Sequence, residues 1–250
     1  SSGSDINGMA AWKAASTIKQ RMLNQASKIF QKPPSSIEFK NGLILSGNKS
    51  MTFRELAFSC WENRISLSST GFYKTPKISW NQDKFKGSPY FYFTWGAAVS
   101  EAIIDIDTGE SRILRADIIQ DCGRSLNPLI DRGQIEGGFV QGIGWLTCEE
   151  LYFNPEGKLL TLGPSTYKIP GSRDVPPEFN IKLLENSANE EKTVFRSKAV
   201  GEPPLLLSIS HFLALKNAVS MASETSNADL LSAPATPSKI LAAVYNDQSM

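Results

Sequence analysis

The run Lys198-Ala199-Val200-Gly201-Glu202-Pro203-Pro204 sets one carboxylate directly before two prolines and a long apolar stretch. Proline has a fixed φ and no backbone N–H, so Pro203 and Pro204 suit the first turn of a helix. The residues from Leu205 to Val219 are apolar on most sides of such a helix, which predicts that it is buried. Glu202 would then stand at the mouth of that helix, where the N-terminus favours the ionised form and burial opposes it. A carboxylate balanced in this way is suited to proton abstraction. The same spacing also fits a Glu that simply caps the helix end. Gly201 lets the backbone turn sharply or come close to a ligand.

A second segment, Gly133 to Trp145, has apolar positions compatible with a helix but carries five glycines. Each costs roughly 1 kcal/mol relative to Ala in a helix interior. Two causes would account for them: another backbone packed very close, or a bulky polar ligand against the helix. Gln134 and Gln141 carry uncharged amides that donate and accept hydrogen bonds, which suits a pterin edge or a sulfur ligand better than a charge would. The glycine spacing does not match a dinucleotide-binding fingerprint.

These segments need elements to hold them. Ser4 or Asp5 could cap a helix running to about Phe30, with apolar residues at spacings of three and four. Asn41-Gly42 between Ile37/Phe39 and Leu43/Leu45 predicts a hairpin. A short helix is expected over 52–61. Strands are expected within 89–107 and over 112–122, joined at Asp107-Thr108-Gly109-Glu110. A second hairpin is expected over 151–162, and further strands over 179–184 and 193–196. Thr236 could cap a final helix over 237–245. The class is α+β, with mixed or antiparallel sheets and packed helices. His211, the only histidine, reads as a packed core residue, because no second histidine exists to share a metal. Glu149 and Glu150 are adjacent in an extended stretch and should point to opposite faces, so they do not make a glycosidase pair. Glu136 reads as structural.

Composition limits the partners. The chain has 250 residues, a hydrophobic content of 41% and a formal net charge of +1. Lys and Arg are scattered, so neither nucleic acid nor a membrane surface is expected as partner. Cys60, Cys122 and Cys148 form no C-x-x-C pair, which argues against an iron–sulfur or zinc cluster within the chain. Free thiols point to a reducing compartment and a cytoplasmic location. No signal peptide is recognisable, and no apolar run is long enough to span a bilayer. The opening Ser1-Ser2-Gly3-Ser4 reads, on composition, as either a tag remnant or a loop of a longer protein.

Several segments keep a common order and spacing over nearly the whole chain. They include Thr70-Gly71-Phe72-Tyr73, Ser125-Leu126-Asn127-Pro128, Gly133 to Gly144, Glu149-Glu150-Leu151, Gly163 to Pro170, Ser197 to Pro204 and Ser232 to Pro237. Together they resemble the C-terminal part of the molybdenum-binding subunit of the xanthine dehydrogenase and aldehyde oxidase family. The Pro203-Pro204 pair looks more like a xanthine dehydrogenase, and Gly171 to Pro176 is similar to bacterial forms.

The resemblance implies that residues 1–250 are the C-terminal portion of a molybdopterin-binding domain, as one piece or two lobes. It implies a purine hydroxylase converting hypoxanthine or xanthine to urate with water-derived oxygen. Glu202 matches the general base that deprotonates a molybdenum-bound hydroxyl. Gln134 matches the glutamine that hydrogen-bonds the pyranopterin, and Gly201 is a further expected cofactor contact. Ser1, Ser2, Gly3 and Ser4 match a loop whose backbone N–H groups hold the cofactor, which favours a natural loop over a tag. No residue here ligates molybdenum directly. The [2Fe-2S] clusters and FAD are expected on partner modules, and the remaining substrate-orienting residues in the rest of the molybdenum subunit, upstream of Ser1. The chain alone is therefore expected to be inactive, and the whole enzyme an oligomer. Alternatives are an aldehyde or other N-heterocycle as substrate, or a scaffold domain without catalysis.

Overall fold

The computed structural model describes residues 2–246. The chain separates into two compact units, one of Ser2–Phe91 and one beginning at Tyr92.

In the first unit, α1 (Gly3–Phe30) buries Met22, Ala26 and Phe30, one turn apart on a single face. It begins earlier than the sequence suggests: Ser2 is the capping residue and makes no side-chain cap bond, while Ser4 and Asp5 are already helical. The hairpin β1 (Glu38–Lys40) and β2 (Leu43–Ser46) closes at Asn41-Gly42, both at positive φ (49° and 77°). Such a turn matches the natural twist of the two strands. A third strand, β3 (Lys49–Thr52), pairs with β2. Its sequence lacks an apolar alternation, which is why it is not recognisable beforehand. Thr52 opens α2 (Phe53–Glu62) with a capping box completed by Glu55. Ile44, Leu56 and Cys60 join the α1 face to form the core of this unit. A small exposed hairpin, β4 (Ser79–Asn81) and β5 (Lys86–Ser88), completes it.

The second unit is built on a three-stranded mixed sheet. β6 (Gly96–Ile104) and β7 (Ser111–Gln120) are antiparallel with a bulge at Glu101/Ala102, and β8 (Glu178–Leu183) lies parallel to β7. Residues 89–95, expected as strand, precede β6 without regular pairing. The turn at 107–110 forms as expected: Asp105 Oδ1 accepts from the N–H groups of Asp107 and Thr108, both at 2.9 Å. The glycine-rich helix α3 (Pro128–Thr147) packs Ile135, Phe139 and Ile143 on the inner faces of Ile113, Ala116 and Ile118. Helix α4 (Ile209–Ser220) and helix α5 (Pro237–Tyr245) enclose a second core around Leu215, Val219, Ile240 and Val244. The α+β class with a mixed sheet therefore holds.

Three expectations are corrected. Residues 193–196 are not a strand: Val194–Arg196 is a single 3-10 turn, with Phe195 and Arg196 at positive φ. Thr193 and Asn189 bond the Ser197 carbonyl, so these polar side chains take the place of a strand partner. Residues 151–162 do turn back at Pro155-Glu156-Gly157, the Asn154 N–H donating to the Lys158 carbonyl at 3.0 Å and the Leu160 N–H to the Tyr152 carbonyl at 2.8 Å, but the pairing amounts to the isolated bridge Phe153–Leu159 and not to two regular strands. Finally, the helix after Glu202 is not continuous α-helix and is not buried all round. Residues Pro203–Ser208 form a 3-10 segment, and α4 buries only the face of His211, Leu215 and Val219. Leu206 and Leu213 remain exposed.

Candidate active site

Glu202 is the residue that opens the 3-10 segment, at φ −97° and ψ −36°, with no side-chain cap bond. Its backbone carbonyl accepts from the Leu205 N–H at 3.0 Å, the three-residue step that starts the 3-10 geometry. The carboxylate is exposed within this chain, contrary to the buried position expected of it.

The stretch leading to Glu202 is anchored at several points. The Lys198 ammonium meets Asp121 Oδ2 at 2.6 Å, with side-chain exposures of 12% and 1%. The Lys198 N–H donates to the Cys122 carbonyl at 2.8 Å, and the Ala199 N–H donates to the Tyr92 hydroxyl at 2.8 Å. Asp121 Oδ1 accepts from the Gly123 N–H at 2.8 Å. Gly123 stands at φ 64° and bridges to Ser197, and a Cβ there would lie 2.6 Å from the Arg196 carbonyl oxygen. That position therefore requires glycine. Neither Asp121 nor Tyr92 stands out in the sequence, because the partners lie 77 and 107 residues away.

Helix α3 runs alongside this segment. A Cβ on Gly138 would lie 3.1 Å from the Gly201 carbonyl oxygen and 3.3 Å from Pro204 Cβ. One turn on, a Cβ on Gly142 would lie 2.5 Å from the Leu205 carbonyl oxygen and closer still to Ser208 Oγ. The two segments therefore run in the same direction, backbone against backbone. Gly144 is similarly enclosed, by Glu149 and Pro170. Close packing explains these three glycines. Gly133 and Gly137 are different: a Cβ on either meets nothing within 4 Å. Gln134 sits one turn before Gly138, on the same face and toward the end where Glu202 begins its turn. Its side chain is exposed. The structure thus brings Gln134, Gly201 and Glu202 to one end of the α3 pairing.

The N-terminal candidates belong to the other unit. Ser2, Gly3 and Ser4 are exposed, and Gly3 and Ser4 form the first helical turn rather than a loop. Their N–H groups have no acceptor within the helix. Ser1 lies outside the described residues. His211 is buried and held neutral, its pKa lowered to about 4 by burial, in keeping with a core role. Glu149 accepts from the Tyr167 hydroxyl at 2.6 Å while Glu150 lies 3.9 Å from Lys239, so the two carboxylates have separate partners. Among the described residues no helix is long and apolar enough to cross a membrane.

Residues 1–176 match the family model described as the molybdopterin cofactor-binding domain. Xanthine dehydrogenase/oxidase of Gallus gallus is 45% identical over 239 residues, covering 94% of this chain and 16% of its own length. Xanthine dehydrogenase of Dictyostelium discoideum is 44% identical over 222 residues, covering 88% of this chain and 15% of its own. The chain thus spans about a sixth of the curated relatives it matches. In fold it is similar to quinoline 2-oxidoreductase from Pseudomonas putida 86, with a TM-score of 0.74 and 22% identity over 92% of this chain and 28% of that one. With the family model matching most of its length and these relatives nearly all of it, the chain belongs to the molybdopterin cofactor-binding domain family of xanthine dehydrogenase-like molybdenum hydroxylases.

Proposed function

We propose that this chain forms part of a molybdenum hydroxylase that oxidises a purine, hypoxanthine or xanthine to urate, with Glu202 as general base. The observation that carries the reading is the alignment of α3 with residues 201–208, which supports Gln134 and Glu202 acting at one place. The residues present fit the cofactor. Gly133 and Gly137, beside Gln134, have no packing partner within 4 Å of a Cβ position, which leaves this face of α3 open to a flat polar group. Gln134 supplies both a donor and an acceptor to such a group, without charge.

The bound molybdenum cofactor would supply oxygen transfer and the two-electron oxidation. Glu202 accepts the proton released at the reacting oxygen, which its position ahead of Pro203 and Pro204 orients. Gln134 and the Gly201 backbone orient the pterin side. Gly3 and Ser4, with Ser2, offer backbone N–H groups to an anionic part of the cofactor. The exposed apolar side chains of Leu129, Ile130, Trp145, Leu206 and Leu213 support contact with the remainder of a molybdenum subunit. Iron–sulfur and FAD modules complete the proposed electron path, in an oligomeric, cytoplasmic enzyme, and the chain alone is inactive.

The test is to measure molybdenum, and pterin fluorescence after oxidation, on preparations with and without the remainder of the subunit. Metal and pterin in the complete subunit, with turnover of xanthine, are expected. Metal and pterin with turnover of aldehydes or quinolines alone would replace the purine. Neither metal nor pterin, after expression in a host that makes the cofactor, would leave a scaffold domain.

A further inference from the structure

We propose that the outer edge of β6 and the adjoining face of α4 form a slot for one further β-strand, supplied by the remainder of the molybdenum subunit. The inference rests on the reading of the chain as one part of such a subunit. It adds where another part meets it, and in what conformation.

β6 is a terminal strand of its sheet: among the described residues it pairs with β7 alone. In an antiparallel pair every second residue turns its N–H and C=O away from the partner, so the outer edge of this nine-residue strand offers a row of donors and acceptors. Natural sheets blunt such an edge with Lys, Pro, a bulge or a short strand. β6 is long, carries neither Lys nor Pro, and has Glu101 as its one charged residue. Glu101 lies opposite Arg115 of β7 and favours its positive charge. The bulge at Glu101/Ala102 puts its extra residue, Leu114, on β7 and not on β6.

The space beside that edge has the shape of a strand. A groove of about 440 Å³ is lined on one side by five consecutive residues, Ser100 to Ile104, and on the other by Ala214, Ala218 and Met221. Successive strand residues point to opposite faces, so a groove that touches five in a row follows the edge of the strand and not one face. Ala214 and Ala218 are one turn apart on α4, and their small side chains let a backbone come close. Ser100 Oγ lies 2.8 Å from Ser210 Oγ, which ties α4 to β6 at one end of the groove. A strand in this place would cover Ile103 and Met221, which are 52% and 77% exposed.

The occupant that fits is an extended segment of the same subunit. A strand edge is satisfied by another backbone, with main-chain hydrogen bonds giving affinity and alternate side chains giving specificity. A second copy fits poorly. Two β6 strands paired about a two-fold axis would be antiparallel, with the axis perpendicular to the sheet, so both α4 helices would lie on one face. Each α4 walls the space just outside its own β6, and strands about 4.8 Å apart leave no room there for two helices about 10 Å wide. The matched stretch is 16% of the Gallus gallus relative, so a subunit of that kind has most of its length from which to supply a strand.

The experiment is hydrogen exchange, read by mass spectrometry, on the full-length subunit. A second preparation carries benzoylphenylalanine in place of the exposed Met221 for photo-crosslinking. Amides of residues 96–104 that point away from β7 should exchange at least about a hundredfold slower than an unpaired chain, so that nearly the whole segment is protected and not alternate residues only. Irradiation should join position 221 to one segment of the same polypeptide outside residues 1–250. Exchange of alternate β6 amides at the unpaired rate would overturn the slot. A crosslink within residues 1–250, between two copies or to another polypeptide, or none at all, would overturn the occupant. Neither readout depends on molybdenum or turnover, so a failure of the cofactor or purine reading shows separately, in metal and pterin content and in substrate turnover.

Discussion

The Cβ position of Gly138 lies 3.1 Å from the carbonyl oxygen of Gly201, so a glycine on one helix and the residue before Glu202 touch through backbone alone. This contact joins the two segments with chemical character and separates two kinds of glycine in α3. Gly142→Ala would push a methyl into the Leu205 carbonyl and Ser208 Oγ. It should destabilise the second unit by about 1–3 kcal/mol. Gly137→Ala meets open space and should stabilise the chain by up to about 1 kcal/mol. Urea unfolding of both variants checks the pair; equal effects would contradict the assignment of close packing to Gly142.

His211 makes stability depend on pH. In the folded chain burial lowers its pKa from 6.5 to about 4, so the unfolded chain binds a proton that the folded chain refuses. Its contribution is complete above about pH 6.5, declines as pH falls from there, and levels off below about pH 4. Between pH 7.5 and 5 the loss should be about 2 kcal/mol. Unfolding measured at both values, on the chain and on His211→Leu, should show this difference shrink in the variant.

The thiols should react in a definite order. Burial is the main cause that pushes Cys122 up to about 11, with the Asp131 and Asp121 charges adding to it. Cys60 is raised by burial as well, and both are buried. Cys148 is raised too but is only half-buried. Iodoacetamide at pH 8 followed by mass spectrometry should find Cys148 modified first, with Cys60 and Cys122 modified only on unfolding. Early labelling of Cys122 would contradict the closed packing around Asp121.

Thr52→Ala removes the acceptor for the Glu55 N–H and half of the reciprocal cap of α2. The first unit should lose about 1 kcal/mol, seen as a lower urea midpoint with an unchanged slope. Thr52→Ser should keep most of that stability.

Local signals made much of this fold readable. Asn41-Gly42 specifies its own turn, Thr52 and Glu55 their own cap, and the 107–110 turn its own hairpin, each within four residues. Readings failed where distant partners decide. Val194-Phe195-Arg196 has strand-like residue types, but Asn189 and Thr193 bond the Ser197 carbonyl and wind the backbone into a 3-10 turn. Leu205 to Val219 is apolar enough for burial on every side, yet only the His211, Leu215 and Val219 face is covered within this chain. Glu202, Gln134 and Gly201 were legible as candidates because each stands in a segment whose composition is unusual for a helix. Asp121 and Tyr92 were not, because nothing near them in the chain marks the partner they meet.

The central claim is that Glu202 takes a proton while Gln134 and its helix hold the cofactor. The most direct test compares Glu202→Gln with the unaltered full-length enzyme, measuring molybdenum content and xanthine turnover per molybdenum on the same samples. The amide keeps the shape and removes the basic oxygen. Full molybdenum content with turnover at least about a thousandfold lower is the predicted result, within the range that a positioned base contributes. Turnover per molybdenum close to the unaltered value would contradict it.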